Sequence, residues 1–349
     1  MEYFKEKIAT INNNDVYKIK IINNNNYSLE FFNFGGYIHS IRIPYKDSNS
    51  ETEDILLGYN KFEDYRKDKD YINAIVGRVC GRITNSKFRL NEKTYKLFPN
   101  DSPHHIHGGK EGFNKKVWTI INTEKTKDSF FCKLIYRSTH MEEQYPGNLD
   151  CIATYSFNNN NEFEIFFEAE TDRDTIVNIT NHNYWNFHGH KNYYQNIDNH
   201  SLKINSDYIC EVDRDQIPSG NLIEVTNSKY NFKSLKKIDK DILKDGGIDH
   251  CYKIVNNNKL LEIAKVYSNA TGMGMIFSTD QPGLQLYTGN MMAMKYSGKF
   301  SREYGPQYGI CLEAQHFPDG INQPNFHNTI LRAGNKYSSR IVMKFKNDF

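Results

Sequence analysis

The stretch EFEIFFEAE, residues 162–170, decides the fold class of this chain. Apolar and polar side chains alternate along it with a period of two, which is typical of a β-strand with one buried face. Glutamates occupy four of the five positions on the other face, so that face is mostly polar. The predicted buried face consists of Phe163, Ile165, Phe167 and Ala169.

The same pattern recurs along most of the chain. Val, Ile, Tyr, Phe and Thr are abundant, and turn residues arrive about every ten positions, whereas sustained helical periodicity is nearly absent. We therefore expect an all-β fold, a large antiparallel β-sandwich with few short helices. It should form a single domain over residues 1–349, with N-terminal strands and Asn-rich loops in residues 1–29. Further strands are predicted at 27–43, 130–138, 283–290, 308–317 and 338–346, and a short helix within 60–68.

Composition argues against several classes of partner. The 44 basic and 42 acidic residues give a net charge of +2 without a basic block, so nucleic-acid binding is not expected. The N-terminal residues 1–14 lack the apolar region of a signal peptide, and no apolar run is long enough to span a membrane. The six cysteines are scattered without a CxxC pair, which favours reduced thiols in a cytoplasmic protein.

Short asparagine runs interrupt the strand pattern. Because Asn tolerates left-handed backbone and favours turns, we interpret these runs as hairpin loops that separate strands, not domains. The runs lie at 12–14, 23–26, 158–161 and 256–258.

A polar row with aromatic neighbours is predicted in TIVNITNHNYWNFHG, residues 175–189. If 176–184 is a strand, His182 shares one face with Asn178, Thr180 and Tyr184, because side chains alternate between the two faces of a strand. A satisfied core histidine is the competing interpretation. An aromatic and amide-rich face of this kind is typical of carbohydrate binding.

The stretch GICLEAQHFPDGINQPNF, residues 309–326, places a carboxylate in a moderately apolar strand. Glu313 should lie on one face with Cys311 and Gln315, and burial there would raise its pKa toward neutrality. A solvated glutamate on a strand surface is the alternative. Asp249 follows a glycine pair, and Gln285 lies on a predicted strand. On their own, these two residues are weak evidence for a binding site.

Three histidines stand within four residues in PHHIHGG, residues 103–109. A metal site, a catalytic base and a merely histidine-rich loop are all compatible with this stretch. His105 and His107 would share a strand face as a ligand pair, but no third ligand follows at a recognisable spacing.

The order of these motifs resembles that of the aldose 1-epimerase (galactose mutarotase) family. The resemblance runs from about residue 30 to the C-terminus, and its specificity comes from several motifs in the same order. They are VGRVCGRITNSKFRLNEKTYKL (76–97), HHIHGGKEGFNKKVW (104–118), TNHNYWNFHG (180–189), IDHCYKI (248–254), GLQLYTGN (283–290), LEAQHFPDGINQPNF (312–326) and ILRAGNKY (330–337).

The resemblance implies a supersandwich fold of the galactose mutarotase type and a reaction without metal or cofactor. It implies His182 as general acid and Glu313 as general base, on opposite sides of a sugar whose ring opens and recloses on the other face. His104 and His105 have no matching role and are interpreted as loop residues. The side chains expected to bind sugar hydroxyls are Arg82, His107, Asp249 and Gln285, with Tyr184 or Trp185 against the ring.

The chain departs from the family pattern at some expected sugar neighbours. Gly81 stands where Asn is usual, so one polar contact would be lost. Asn183 and Trp185 replace the usual Ser and Phe, which would narrow the pocket on that side, and Asn114 replaces a common Asp. These changes concern sugar preference rather than the type of reaction.

Two other functions are compatible with the sequence. A hexose-6-phosphate epimerase would need extra basic residues, for which Lys110, Lys115 and Lys116 are available. A catalytically silent sugar-binding module should lack the acid or the base, whereas His182 and Glu313 are both present. We expect an isomerase of free glucose or galactose, monomeric, whose only partner is a small-molecule sugar.

Overall fold

The computed structural model describes residues 1–48, 50–191, 195–292 and 297–349. These residues form strands joined by turns and a few short helical segments. The helices are α1 (Phe62–Lys67) and α2 (Lys240–Lys244), with 3-10 turns at Thr84–Ser86, Phe113–Lys115, Glu142–Gln144 and Lys299–Ser301. The first strands are β1 (Glu2–Ile11), β2 (Asn14–Ile22), β3 (Ser28–Phe32), β4 (Ile38–Pro44), β5 (Thr52–Asp54), β6 (Ile75–Val76), β7 (Arg82–Ile83), β8 (Lys87–Leu90), β9 (Lys93–Lys96), β10 (His105–Ile106), β11 (Thr119–Lys125), β12 (Ser129–Ser138), β13 (Leu149–Asn158) and β14 (Glu162–Thr171).

The second half of the chain continues in the same way. Its strands are β15 (Thr175–Ile176), β16 (Thr180–Asn181), β17 (His200–Ile204), β18 (Tyr208–Val212), β19 (Pro218–Glu224), β20 (Lys236–Lys237), β21 (Asp249–Lys253), β22 (Leu261–Ser268), β23 (Gly274–Thr279), β24 (Gly283–Tyr287), β25 (Cys311–Gln315), β26 (Ile330–Leu331) and β27 (Lys336–Lys346).

Three large antiparallel sheets organise these strands. The N-terminal sheet has the order β1-β2-β3-β4-β5, and the central sheet has the order β11-β12-β13-β14-β27-β23-β22-β17-β20. A third sheet, which we call the cavity sheet, has the order β19-β18-β21-β24-β25. One cluster of buried side chains takes members from all three sheets, among them Ile19, Ile165 and Leu286. The predicted all-β sandwich with few short helices is thus confirmed, whereas the single-domain assignment stays a prediction.

The stretch that predicted the fold forms β14 as expected. Phe163, Ile165 and Phe167 are completely buried, and the strand lies between β13 and β27 in the central sheet. A strand with neighbours on both edges satisfies its backbone hydrogen bonds, so its apolar face can be buried without an unpaired N–H or C=O. Alternation in the sequence therefore identified a strand in the middle of the largest sheet.

Two predicted strands are shorter in the structure than in the sequence analysis. Residues 27–43 form β3 and β4 with a turn between them, because Gly35 and Gly36 adopt φ of +60° and +56°. Residues 176–184 form only the short strands β15 and β16, which pair with β26 and β6 respectively. Between them Asn178 makes a parallel bridge to Val79, so this segment changes partner repeatedly instead of following one strand.

The asparagine runs are turns, and three of the four are hairpin loops. Runs 12–14, 23–26 and 158–161 join consecutive antiparallel strands, whereas 256–258 connects the cavity sheet to the central sheet. Two of the runs also bind each other. Asn23 Nδ2 donates to Asn161 Oδ1 at 2.8 Å, and Asn25 Nδ2 donates to the carbonyl oxygen of Asn159 at 2.7 Å. These amides therefore attach the N-terminal sheet to the central sheet.

The six cysteines lie inside the fold, and the helices are short. All six cysteines are buried and free. Over the described ranges, no helix has the length and apolar character needed to cross a membrane.

Candidate active site

The cavity sheet places its functional side chains in one row. Cys251 of β21 pairs with Gln285 of β24, and Gln285 pairs with Glu313 of β25. Directly paired residues in an antiparallel sheet point to the same face, so these three side chains stand side by side. The intervening residues, such as Leu286 and Leu312, are buried in the hydrophobic core on the opposite face.

A cavity of about 320 Å³ lies over this row. Its walls combine the cavity sheet with the loop that precedes β7, the loop around residue 70 and the segment after β16. Eight of the ten residues predicted to surround the sugar line it. These are Gly81, Arg82, His107, His182, Tyr184, Asp249, Gln285 and Glu313.

His182 and Glu313 face each other across a short distance. His182 Nε2 lies 3.5 Å from Glu313 Oε1, and both side chains are almost entirely buried. The backbone of His182 is held on both sides, because its N–H donates to the carbonyl of Ala74 and its carbonyl accepts from the N–H of Asn73. Tyr184 stacks on the imidazole ring with centroids 4.9 Å apart and planes inclined by 17°. The orientation of His182 is therefore fixed by packing as well as by the backbone.

Burial pushes the pKa values of these two groups in opposite directions. It lowers the pKa of His182 to about 4, since the imidazolium cannot be solvated there. Burial raises the pKa of Glu313 well above its ordinary value, and the nearby carboxyl of Asp249 raises it further. The contact between the two groups opposes both shifts, because an imidazolium beside a carboxylate favours the charged form of each. Burial therefore favours a pair that shares one proton, on either group, over a pair that holds none.

His107 is held as a neutral donor. The N–H of Gly81 donates to His107 Nδ1 at 3.3 Å, which leaves the ring proton on Nε2. Burial lowers the pKa of His107 well below its ordinary value, and the neighbouring His182 lowers it further. The ring packs against Tyr71 and His182, with centroid distances of 4.7 and 5.4 Å.

Asp249 and Gln285 form a hydrogen-bonded pair beside Glu313. Gln285 Nε2 donates to Asp249 Oδ1 at 2.6 Å, and Gln285 Oε1 is buried without a partner among the described residues. Burial raises the pKa of Asp249, an effect that the charge of Arg82 and the bond from Gln285 oppose. Arg82 Nε also donates to Asp101 Oδ2 at 2.7 Å, which orients its guanidinium at the cavity edge. Such convergent donors and acceptors suit the hydroxyl groups of a polyol.

Comparison with known proteins decides the family. The family model described as aldose 1-epimerase matches residues 17–344. The chain belongs to the aldose 1-epimerase family. It is 32% identical to the galactose mutarotase of Homo sapiens over 320 residues, 91% of this chain and 90% of that protein. It is 33% identical to the aldose 1-epimerase of Haemophilus influenzae over 340 residues, 94% and 95% of the two chains.

Solved structures of aldose epimerases share the fold. An aldose epimerase homologue from C. elegans superposes with a TM-score of 0.85 at 26% identity, over 95% of this chain and 99% of that one. A galactose 1-epimerase from Lactobacillus acidophilus gives a TM-score of 0.83 at 26% identity, over 100% and 99%. The expected fold and the enzyme class, an isomerase, are therefore confirmed.

Two residues predicted to surround the sugar do not line the cavity. Trp185 is completely buried in the hydrophobic core, where its ring lies 5.9 Å from that of Phe187. Asn183 is also buried and does not reach the cavity. His182 and Tyr184 point into the cavity, so the residues that alternate with them, Asn183 and Trp185, point away from it. The prediction that Trp185 narrows the pocket is therefore wrong.

In the histidine-rich stretch, one histidine lines the cavity and another is buried outside it. His107 lines the cavity, but His105 lies in β10 and is completely buried, so its interpretation as a loop residue is wrong. Its two ring nitrogens contact the carbonyl of Phe98 and the hydroxyl of Tyr145, at 2.8 and 2.6 Å. Neither nitrogen is available to a metal. In the part of the chain that the structure describes, no group of three or more His, Cys, Asp or Glu side chains could hold a metal ion.

The lysines considered for phosphate binding are not cavity residues. Lys115 Nζ donates to the carbonyl oxygens of Arg66 and Asp68, and Lys116 pairs with Glu142 at 2.9 Å. Lys110 is exposed outside the cavity wall.

Sequence reasoning missed cavity residues contributed by other loops and strands. The wall also includes Lys69, Asp70, Tyr71, Cys210, Cys251 and Gln315. Asp68 fixes the loop that carries the first three, because its buried carboxylate accepts from the hydroxyl of Tyr59 and from the backbone N–H groups of Asp70 and Ile72. The sequence shows an aspartate, Asp68, shortly before Asp70 and Tyr71. Its burial, and the position of this loop at the cavity, are visible only in the fold.

Proposed function

We propose that the chain interconverts the α and β anomers of free hexoses, with His182 and Glu313 as the catalytic residues. The observation that carries this proposal is the buried contact between these two groups at 3.5 Å in a cavity lined by hydroxyl-binding side chains. Membership of the aldose 1-epimerase family supports the same reaction.

The geometry suits acid–base opening of a hemiacetal. The ring oxygen and the anomeric hydroxyl oxygen are bonded to the same carbon, so two groups this close together can reach both atoms. The expected placement of the two groups on opposite sides of the sugar stays a prediction; their side chains lie 3.5 Å apart in the cavity wall. In the opening step Glu313 takes the proton of the anomeric hydroxyl while His182 gives a proton to the ring oxygen, and the bond from carbon to ring oxygen breaks.

Reclosure reverses these transfers after the aldehyde has rotated. Rotation about the bond next to the aldehyde carbon presents its other face to the returning hydroxyl. His182 then recovers a proton from that hydroxyl as the oxygen attacks, and Glu313 returns a proton to the carbonyl oxygen. The pair begins and ends the cycle with one shared proton, so no proton has to come from solvent.

The remaining cavity residues hold the hydroxyl groups. His107 donates through Nε2, Arg82 donates through its guanidinium, and Asp249 and Gln285 supply acceptors beside Glu313. Hydrogen bonds that involve charged partners contribute about 1.5–3 kcal/mol each, net of the bonds to water that they replace. The curated relatives are named for galactose or for aldoses in general, so glucose and galactose are the first candidates.

Location and assembly stay predictions. The six free cysteines favour a reducing compartment such as the cytoplasm, and we expect a monomer.

The test follows the exchange of anomers directly. Freshly dissolved α-D-galactose, α-D-glucose and glucose 6-phosphate are each mixed with a catalytic amount of the protein, and the C1 proton signals of both anomers are followed by NMR. We expect faster equilibration of one or both free hexoses than in buffer alone. Acceleration confined to the phosphate would contradict the proposed substrate class, and sugar binding without acceleration of any anomer exchange would indicate a silent binding module.

A further inference from the structure

Gln315 is a buried amide in the cavity wall that the proposed reaction does not use. It follows Glu313 by two residues on β25, so its side chain points to the same face of the cavity sheet. It lines the cavity and is only 2% exposed. Asn178 fixes the backbone next to it, because Asn178 Oδ1 accepts from the N–H of His316 at 2.9 Å and Asn178 Nδ2 donates to the carbonyl of His316.

A cysteine sets the orientation of this amide. Cys80 Sγ donates to Gln315 Oε1 at 3.2 Å, in a completely buried position. Burial raises the pKa of the Cys80 thiol well above its ordinary value, so the thiol keeps the proton that it donates. Since Oε1 is held by Cys80, the amide nitrogen is the atom left for the cavity, and Nε2 has no hydrogen-bond partner among the described residues.

Two residues of the cavity wall next to Cys80 and Gln315 carry no polar side chain. Gly81 follows Cys80 directly and adopts φ of +71°, and a Cβ atom there would lie 3.1 Å from Pro318 Cβ. Gly81 and Pro318 both line the cavity, and neither offers a side-chain donor. An amide with two free N–H groups at this position can donate to a sugar hydroxyl, and leaving them unpaired against a bound sugar would cost binding energy.

We propose that Gln315 is a specificity-determining residue that binds one hydroxyl of the sugar through Nε2, and that Cys80 is a positioning residue that orients its amide. This inference rests on the proposed function, because it concerns the sugar bound in the same cavity. A hexose that lacks this hydroxyl should bind less well, since the amide would then be left without an acceptor.

The test combines substitution of the Gln315 side chain with removal of single hydroxyl groups from the substrate, and measures whether the two changes are additive. Galactose and its monodeoxy derivatives at carbons 2, 3, 4 and 6 are assayed with the native protein and with Gln315→Leu, for kcat/KM by anomer exchange and for Kd by calorimetry. Gln281→Leu is the matched control, because Gln281 is also a buried glutamine but lies outside the cavity wall.

We expect coupling between Gln315 and one hydroxyl only. With the native protein, removal of that hydroxyl should lower kcat/KM and binding about tenfold, which corresponds to about 1.4 kcal/mol. With Gln315→Leu the same removal should change neither by more than about twofold, whereas the other three hydroxyls keep their effect. Gln281→Leu should retain the native pattern for all four.

Cys80 variants separate positioning from a merely structural role. Cys80→Ala should weaken the coupling to that hydroxyl, and Cys80→Ser should restore it, because a serine hydroxyl donates to the same acceptor. A structural role would instead lower stability and affect all sugars equally.

Absence of coupling at all four hydroxyls would overturn the inference, even if the native protein exchanges anomers. Coupling in binding without any anomer exchange would support Gln315 and contradict the proposed function, and absence of both binding and exchange would overturn both.

Discussion

The pH dependence of anomer exchange reports the proton held by the His182–Glu313 pair. In the proposed reaction the active free enzyme carries one proton on the pair, so activity should fall on the acid side when a second proton binds. With the carboxyl already protonated, that second proton goes to the imidazole, whose pKa burial lowers to about 4. On the alkaline side activity should fall when the last proton leaves, above the ordinary pKa of a glutamic acid, because burial raises the pKa of Glu313.

The size of the pH effect follows from the pH at which the acid limb is centred. If the acid limb is centred at about pH 4, binding of the second proton converts only about 10% of the pair at pH 5. About 90% of the pair then stays singly protonated. If the second proton bound with the ordinary histidine pKa of about 6.5, only about 3% of the pair would be singly protonated at pH 5. Burial of His182 should therefore keep the enzyme active at a pH where an unperturbed histidine would lower activity about 30-fold.

The assay is kcat/KM for anomer exchange measured by polarimetry between pH 3.5 and 9. Spontaneous exchange is itself catalysed by acid, base and buffer, so its rate is subtracted at every pH and two buffer concentrations are compared. An acid limb centred near 6.5, with activity at pH 5 about thirtyfold below the maximum, would refute the inference that burial lowers the pKa of His182.

Two further predictions concern groups away from the reacting atoms. Lys299→Ala should destabilise the fold by about 3–5 kcal/mol in urea unfolding, because it leaves the buried carboxylate of Asp54 without the ammonium that lies 2.9 Å away. The exposed Lys336→Ala should leave the urea midpoint nearly unchanged, and similar losses in both variants would contradict this reasoning. Trp185→Phe should lower the melting temperature but leave KM within about twofold, because Trp185 lies in the core; a changed KM at unchanged stability would place it at the sugar instead.

Local patterns were sufficient to predict several of the strands and the buried face of two of them. The alternation at Phe163 predicted β14, and the alternation around Glu313 predicted which of its neighbours point into the core. These predictions need only the two-residue period of a strand. The same period shows why Trp185 belongs to the core once His182 is known to face the cavity, so this correction was available from the sequence.

Contacts between distant segments were not predictable from local patterns. The distance between His182 and Glu313 depends on the pairing of short strands that change partner, and the placement of Tyr71 depends on a loop held by a buried aspartate. The contact of Cys80 with Gln315 joins residues 235 positions apart. Each of these requires the register of strands across the whole fold, which the resemblance to a family supplied in part and periodicity did not supply.

The most direct test of the account measures how much anomer exchange depends on Glu313. Polarimetry with fresh α-D-galactose and α-D-glucose compares the native protein with Glu313→Gln, which keeps the size of the side chain but cannot take a proton. Glu170→Gln is the matched control, because Glu170 is an exposed strand glutamate paired with Lys336. We predict that Glu313→Gln lowers kcat about 10²–10⁴-fold while the fold and the control activity are retained. A folded Glu313→Gln variant with activity within about twofold of the native protein would contradict the assignment of the catalytic pair.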